Sequence, residues 1–188
     1  ENKIPEKRIV ESYNLIINTK KQLIKETKAK KFELLEVANA PTFEEMLDVA
    51  KDVENITGVR SAFLLGISQE ELALEKTDLC YLTNLNTGEG VRDIDGKKLV
   101  KVMKPDRDIP DFLKIINELK KDPLKTLVTC PMSFGWGGAM GPAQFIPSTW
   151  MQYKNKIEKI TGKKADPWNI TDAFLAMGLY LADSGALV

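Results

Sequence analysis

A mainly α-helical domain with a small β-hairpin insertion, preceded by an amphipathic helix, is the fold class the sequence predicts. Three observations carry it. Apolar residues recur at three- and four-residue spacing along most of the 188-residue chain. Helix-start chemistry (Thr42 before Glu45, Pro110, Pro147) and helix-stop chemistry (Gly58, Gly162, Gly185) bracket those segments. Residues 83–106 lack the helical pattern and are dense in turn pairs instead.

Residues 1–36 read as one long helix, with Ile9, Val10, Tyr13, Ile16, Ile17, Leu23 and Ile24 forming a stripe at near-heptad spacing. Nine Lys/Arg against four Glu in residues 1–32 make it basic, and a solvated amphipathic helix packed on its own domain or on a partner outweighs a membrane-surface helix. Ala40-Pro41-Thr42 breaks the pattern, so an N-terminal extension over 1–40 and a domain over 41–188 are predicted. Thr42 and Glu45 form a capping box ahead of Phe43, Met46, Leu47, Ala50, Val53 and Ile56, and Gly58 ends that helix. In the next helix, Ser61 to about Lys76, Phe63, Ile67 and Leu74 mark an inward face that also holds Glu70. Glu71 falls about 100° away on the helix. Cys80-Tyr81-Leu82 closes this helical region, and Asp95-Gly96 marks a hairpin followed by the β-type piece Lys98–Val102. Later helices run from Pro110 to Lys121, from Pro147 to about Ile160, and from Thr171 to about Ser184.

Composition narrows the chemistry. The 27 basic and 27 acidic residues cancel, which gives no global field for nucleic acid. No run of about 18 apolar residues suggests a membrane span. The chain has no histidine, which removes Ser-His-Asp and Cys-His catalysis and the usual zinc sites and leaves carboxylates as the main option. Asp93-x-Asp95-Gly96 starts like a calcium loop, but no Glu closes it at the required offset. No cofactor or metal is expected. Cys80 and Cys130 are too far apart for a C-x-x-C motif and are either buried thiols or a bonded pair. No leader is legible at Glu1, so a mature form or a fragment is expected.

The most informative stretch is Gly135-Trp136-Gly137-Gly138-Ala139-Met140-Gly141-Pro142-Ala143-Gln144-Phe145-Ile146-Pro147-Ser148-Thr149-Trp150. Its glycines allow close backbone approach. A flexible loop would explain them, but linkers avoid the large side chains Trp136, Met140, Phe145 and Trp150. A phosphate loop is excluded, since no Lys or Arg lies between Cys130 and Lys154. An uncharged, aromatic-lined turn suits a neutral polymer such as a sugar chain.

Gly138 to Trp150 resembles the Gly-x-Met-Gly-x-x-Gln-Phe-Ile-Pro motif of bacterial lytic transglycosylases, particularly the murein transglycosylase B type. The resemblance covers about residues 42–188, including Asp166-Pro167-Trp168-Asn169-Ile170 before the last helix. It implies a lysozyme-like (goose-type or SLT-like) fold and cleavage of peptidoglycan by one Glu. That Glu protonates the glycosidic oxygen between N-acetylmuramic acid and N-acetylglucosamine, then takes the proton of the muramic C6 hydroxyl to close a 1,6-anhydro ring. Leu64-Leu65-Gly66-Ile67-Ser68-Gln69-Glu70 matches the family's catalytic helix, which makes Glu70 the expected acid/base rather than an ordinary helix-surface Glu. An apolar setting would raise its pKa. The resemblance also implies an extracytoplasmic location, where a Cys80–Cys130 disulfide is favoured.

Gln144, Met140, Gly141, Phe145, Ala139 and Tyr81 are the expected substrate-side residues, with core packing the alternative for Met140 and Phe145 and loop capping the alternative for Gln144. The chain departs from the family at Glu71, where a Ser is usual, and the family places a further Tyr-Asn-x-Gly-like segment beyond the last helix. Glu71 would either raise the pKa of Glu70 further or mark a site that has drifted from activity. The expected partners are peptidoglycan glycan strands, a protein partner or self-association through the N-terminal helix, and no nucleic acid. A non-catalytic peptidoglycan-binding domain and a water-using muramidase of the goose-lysozyme kind are the alternatives.

Overall fold

In the computed structural model, residues 42–75, 78–133 and 135–186 are described, with the side chains of 69–75 excepted. The predicted N-terminal helix and the 1–40 extension lie outside the described residues. Helix α1 (Phe43–Thr57) starts with the expected capping box: Thr42 Oγ1 accepts from the Glu45 N–H at 3.2 Å, and Glu45 Oε2 accepts from the Thr42 N–H at 2.8 Å. Val49, Ala50 and Val53 turn into the core, whereas Phe43 is 65% exposed. Gly58 ends α1 in the left-handed region at φ 78°.

Helix α2 (Ser61–Glu75) follows, tied back by the Ser61 N–H to Glu54 Oε2 at 2.8 Å. Among its described side chains, Leu64 and Ser68, four residues apart, are the fully buried ones. Phe63 was expected to face inward and is instead 49% exposed, and Ile67 is only half-buried. The Phe63–Ile67 row therefore runs along the margin of the core rather than into it.

Cys80-Tyr81-Leu82 is not a helix end but the middle of strand β1 (Leu79–Asn84), whose alternate residues Cys80 and Leu82 are buried. An antiparallel sheet in the order β3-β2-β1-β4 is completed by β2 (Glu89–Arg92), β3 (Lys98–Leu99) and β4 (Val128–Thr129). The Asp95-Gly96 hairpin forms between β2 and β3, with Gly96 at φ 67° and Asp95 Oδ1 accepting from the Lys97 N–H at 3.0 Å. The β-type run predicted to Val102 stops at Leu99, because Lys101 turns left-handed at φ 64° and Val102 and Met103 enter the core.

Helix α3 (Ile109–Glu118) buries Ile109, Phe112, Ile115 and Ile116, and ends before the predicted Lys121 because Lys120 is left-handed at φ 55°. Helix α4 (Pro147–Thr161) opens on its proline and stops at Gly162, φ 71°. Helix α5 (Ile170–Asp183) is buried without a break from Ile170 to Gly178, as a helix surrounded on all sides must be. Asn169 caps it, accepting from the Thr171 and Asp172 N–H groups. Gly178 lets α1 lie against it, since a Cβ there would meet Val53 Cγ1.

Candidate active site

The glycine stretch is a built structure rather than a loose loop. Gly137 N–H donates to the Lys101 carbonyl at 3.0 Å, and Gly138 N–H donates to the Thr129 carbonyl at 2.9 Å. Thr129 in turn donates to the Ala139 carbonyl at 3.0 Å and takes the Ala139 N–H on its side-chain oxygen at 2.9 Å. Residues 137–139 thus continue the sheet irregularly beyond β4. Gly137 lies so close to Thr129 and Cys130 that any Cβ would strike their backbone. The disulfide between Cys80 and Cys130 joins β1 to the residue after β4, with the Cα atoms 5.0 Å apart. The start of β1 and the entrance to the glycine stretch are therefore cross-linked.

Beyond Ala139 the chain makes a tight reversal. The Met140 N–H donates to the Phe145 carbonyl at 3.0 Å, and Gly141 accepts from the Gln144 N–H at 3.1 Å. Two left-handed residues make this turn, Gly141 at φ 57° and Gln144 at φ 53°. A non-glycine residue at such a φ is held there by its surroundings. For Gln144 the hold is its own side chain, whose Nε2 donates to the Gly141 carbonyl at 2.8 Å. Gly141 packs against the Pro167-Trp168 backbone, with no room for a Cβ. The start of α4 is anchored through Ser148, whose hydroxyl donates to Asp108 Oδ1 at 2.9 Å. Asp108 is fully buried and accepts the Arg107 guanidinium at 2.7 Å on its other oxygen, which satisfies a carboxylate that burial alone would penalise.

The turn opens onto a cavity of about 350 Å³ lined by Ala143, Gln144, Phe145, Ile146 and Thr149, by Met177, Tyr180 and Leu181 of α5, and by Ile67 of α2. No charged side chain is among these residues. Phe145, Tyr153 and Tyr180 form an aromatic triad at one wall, with ring centroids 5.8 to 6.3 Å apart. Burial and the nearby Asp183 hold the Tyr153 hydroxyl above the usual tyrosine range, so it stays protonated at neutral pH. Tyr180 is 44% exposed and presents one face to solvent.

Of the residues expected on the substrate side, Gln144 and Phe145 line the cavity. Met140 does not: at 1% exposure it belongs to the core, the alternative weighed for it above. Gly141 is buried in the turn, and Ala139 is bonded to Thr129. Tyr81 sits on β1 opposite Val91, where burial and Asp93 push its hydroxyl pKa up, and it is not part of the cavity wall. Glu70 is carried by α2 one turn beyond Ile67, and its side chain lies outside the described residues. Tyr180 and Thr149 were not singled out from sequence. Tyr180 reads as one more large residue on an apolar helix, and only its meeting with Phe145 and Tyr153 separates it from the core.

Among the described residues, fold and cavity together define a mostly helical domain, five helices with a small antiparallel sheet, that holds a cleft with an uncharged described lining behind a glycine-rich turn. The family model of the transglycosylase SLT domain matches residues 106–186, so this segment is similar to that domain. The matched segment contains the glycine stretch, α3, α4 and α5, whereas α1, α2 and β1–β3 precede it. No curated protein and no solved structure matches the chain.

Proposed function

We propose that the chain is a peptidoglycan lytic transglycosylase of lysozyme-like fold, working outside the cytoplasm on the β-1,4 bond between N-acetylmuramic acid and N-acetylglucosamine. The observation that carries this reading is the cavity wall: it joins Gln144 and Phe145 of the glycine turn to Ile67, one turn before Glu70 on α2. In this reading Glu70 is the single acid/base. As an acid it protonates the glycosidic oxygen while the muramic C1–O bond breaks. As the resulting carboxylate it takes the proton of the C6 hydroxyl, whose oxygen closes on C1. The acid is regenerated and no water is consumed. The described lining of the wall, uncharged and largely apolar, favours the protonated carboxyl that the first step needs.

Gln144, its Nε2 held by Gly141, offers its amide oxygen to an acetamido N–H, and Phe145 and Tyr180 offer ring faces to the sugar C–H groups. The chemistry calls for no cofactor. A glycan-binding domain without cleavage is the second reading, and the carboxylate at Glu71, where the family usually has Ser, favours it.

Mass spectrometry of digested purified sacculi separates the readings. Anhydro-muramyl ends are expected; reducing ends would indicate a hydrolase, and intact sacculi the binding domain. Glu70→Gln should lower cleavage by about 10²–10⁴-fold with glycan binding retained, since an amide keeps the shape but transfers no proton. Equal loss from Glu71→Gln would mean that the helix face has been misassigned.

A further inference from the structure

Trp136 has no place in the cavity just described, yet the chain presents it with care. It is 37% exposed, unlike Trp150, which is fully buried. The residue after it is bonded to Lys101, and Gly135 closes a tight turn on the Met132 carbonyl at 3.3 Å. These two bonds bring Trp136 next to Met132 (52% exposed) and Val100 (64% exposed). Lys101, which supplies the accepting carbonyl, is itself held left-handed at φ 64°. Trp136, Met132 and Val100 are thus exposed apolar residues on neighbouring backbone that is hydrogen-bonded on both sides of Trp136.

A cavity of about 350 Å³ lies at the small end of the range, about 300–1,000 Å³, in which pockets hold one small ligand. A polymer seated there must continue over the neighbouring surface. Met140, which pairs with the cavity residue Phe145, is four positions on from Trp136, and four positions of chain span at most about 14 Å. No Lys or Arg occurs from residue 131 to 153, so this stretch of chain carries no cationic side chain, and exposed Lys101 is the cation next to it.

We propose that Trp136, with Met132 and Val100 beside it, is an outer saccharide subsite: a platform on which a pyranose ring of the same glycan strand stacks after the strand leaves the Gln144–Phe145–Tyr180 cavity. The proposal rests on the glycan reading above but not on cleavage. It assigns Trp136 a part in recognising chain length, which the cavity alone cannot supply.

The test titrates the full chain carrying Glu70→Gln with β-1,4-linked N-acetylglucosamine oligomers of two and six residues and with isolated glycan strands, by calorimetry. Adding Trp136→Ala should weaken the hexamer and the strands about five- to tenfold while leaving the dimer unchanged, and Trp136→Tyr should restore most of the loss. Equal weakening of dimer and hexamer, or no weakening of either, overturns the platform, as does a lack of binding by all three probes. A drop in melting temperature that Trp136→Tyr does not repair assigns Trp136 to the fold instead. Binding with the predicted length dependence, together with a wild type that yields no anhydro ends, would sink the transglycosylase reading and leave the platform standing.

Discussion

At Gly141 one methyl group decides whether the turn can form. The residue is left-handed, and a Cβ would run into the Pro167 carbonyl, which belongs to backbone and cannot step aside. Gly141→Ala should therefore cost more than about 2 kcal/mol, read as a lowered urea midpoint in circular dichroism. Asp172 tests the opposite kind of site, a buried charge. It is 1% exposed; burial raises its pKa above the ordinary aspartate value, an effect that the bond from the Asp166 N–H at 2.9 Å only partly offsets. A raised folded pKa means that the folded state holds its proton longer than the unfolded chain. Stability from this group is thus greatest in acid and is lost as pH rises from the ordinary value of 3.8 through the folded pKa. Asp172→Asn removes that loss, so the melting temperature of the variant should gain on the wild type as pH climbs toward neutrality. A difference that shrinks over the same window would contradict this. Some of this scale was legible beforehand: the Thr42–Glu45 capping box could be read from residue types alone, because both partners are local. The Phe63 row on α2 could not be placed correctly, because spacing defines a face but not which neighbour that face meets.

Among the elements, helices were read well and strands poorly. α1, α4 and α5 begin and end within about two residues of their caps, which are written in the sequence. β1 was taken for a helix end, and β4 was not foreseen. A two-residue strand such as Val128–Thr129 carries no periodicity and exists only because residues 79–80 pair with it. The Cys80–Cys130 bond lies where those two strands meet. Closing a loop of this length is worth roughly 3–4 kcal/mol, so Cys80→Ser with Cys130→Ser should lower unfolding stability by about that amount. The same loss should appear in the wild type once it is unfolded and refolded with reductant. Two free thiols in the native protein would show that the bond does not form.

In the whole molecule, the sequence pattern breaks at Ala40-Pro41-Thr42, and the described core runs from Val49 to Met177. A chain starting at Ala40 should accordingly unfold in one cooperative transition, and aggregation of that chain would place the N-terminal extension in the core. The cleft draws on both sides of the family match, Ile67 from before it and the glycine turn and α5 from within it. The likeness to the transglycosylase SLT domain could be read from the glycine-rich motif, but the cavity could not, since Tyr180, Met177 and Thr149 come together only in three dimensions. The cross-link has one more effect, on survival among proteases. The exposed hairpin around Ile94, Asp95 and Gly96 lies inside the loop that Cys80 and Cys130 close, and exposed loop tips are where proteases cut first. A single scission there leaves two pieces that remain one molecule, held by sulfur and by the strands on either side. With a specific protease site inserted at Asp95-Gly96, the cut protein should migrate as one band without reductant and as two with it.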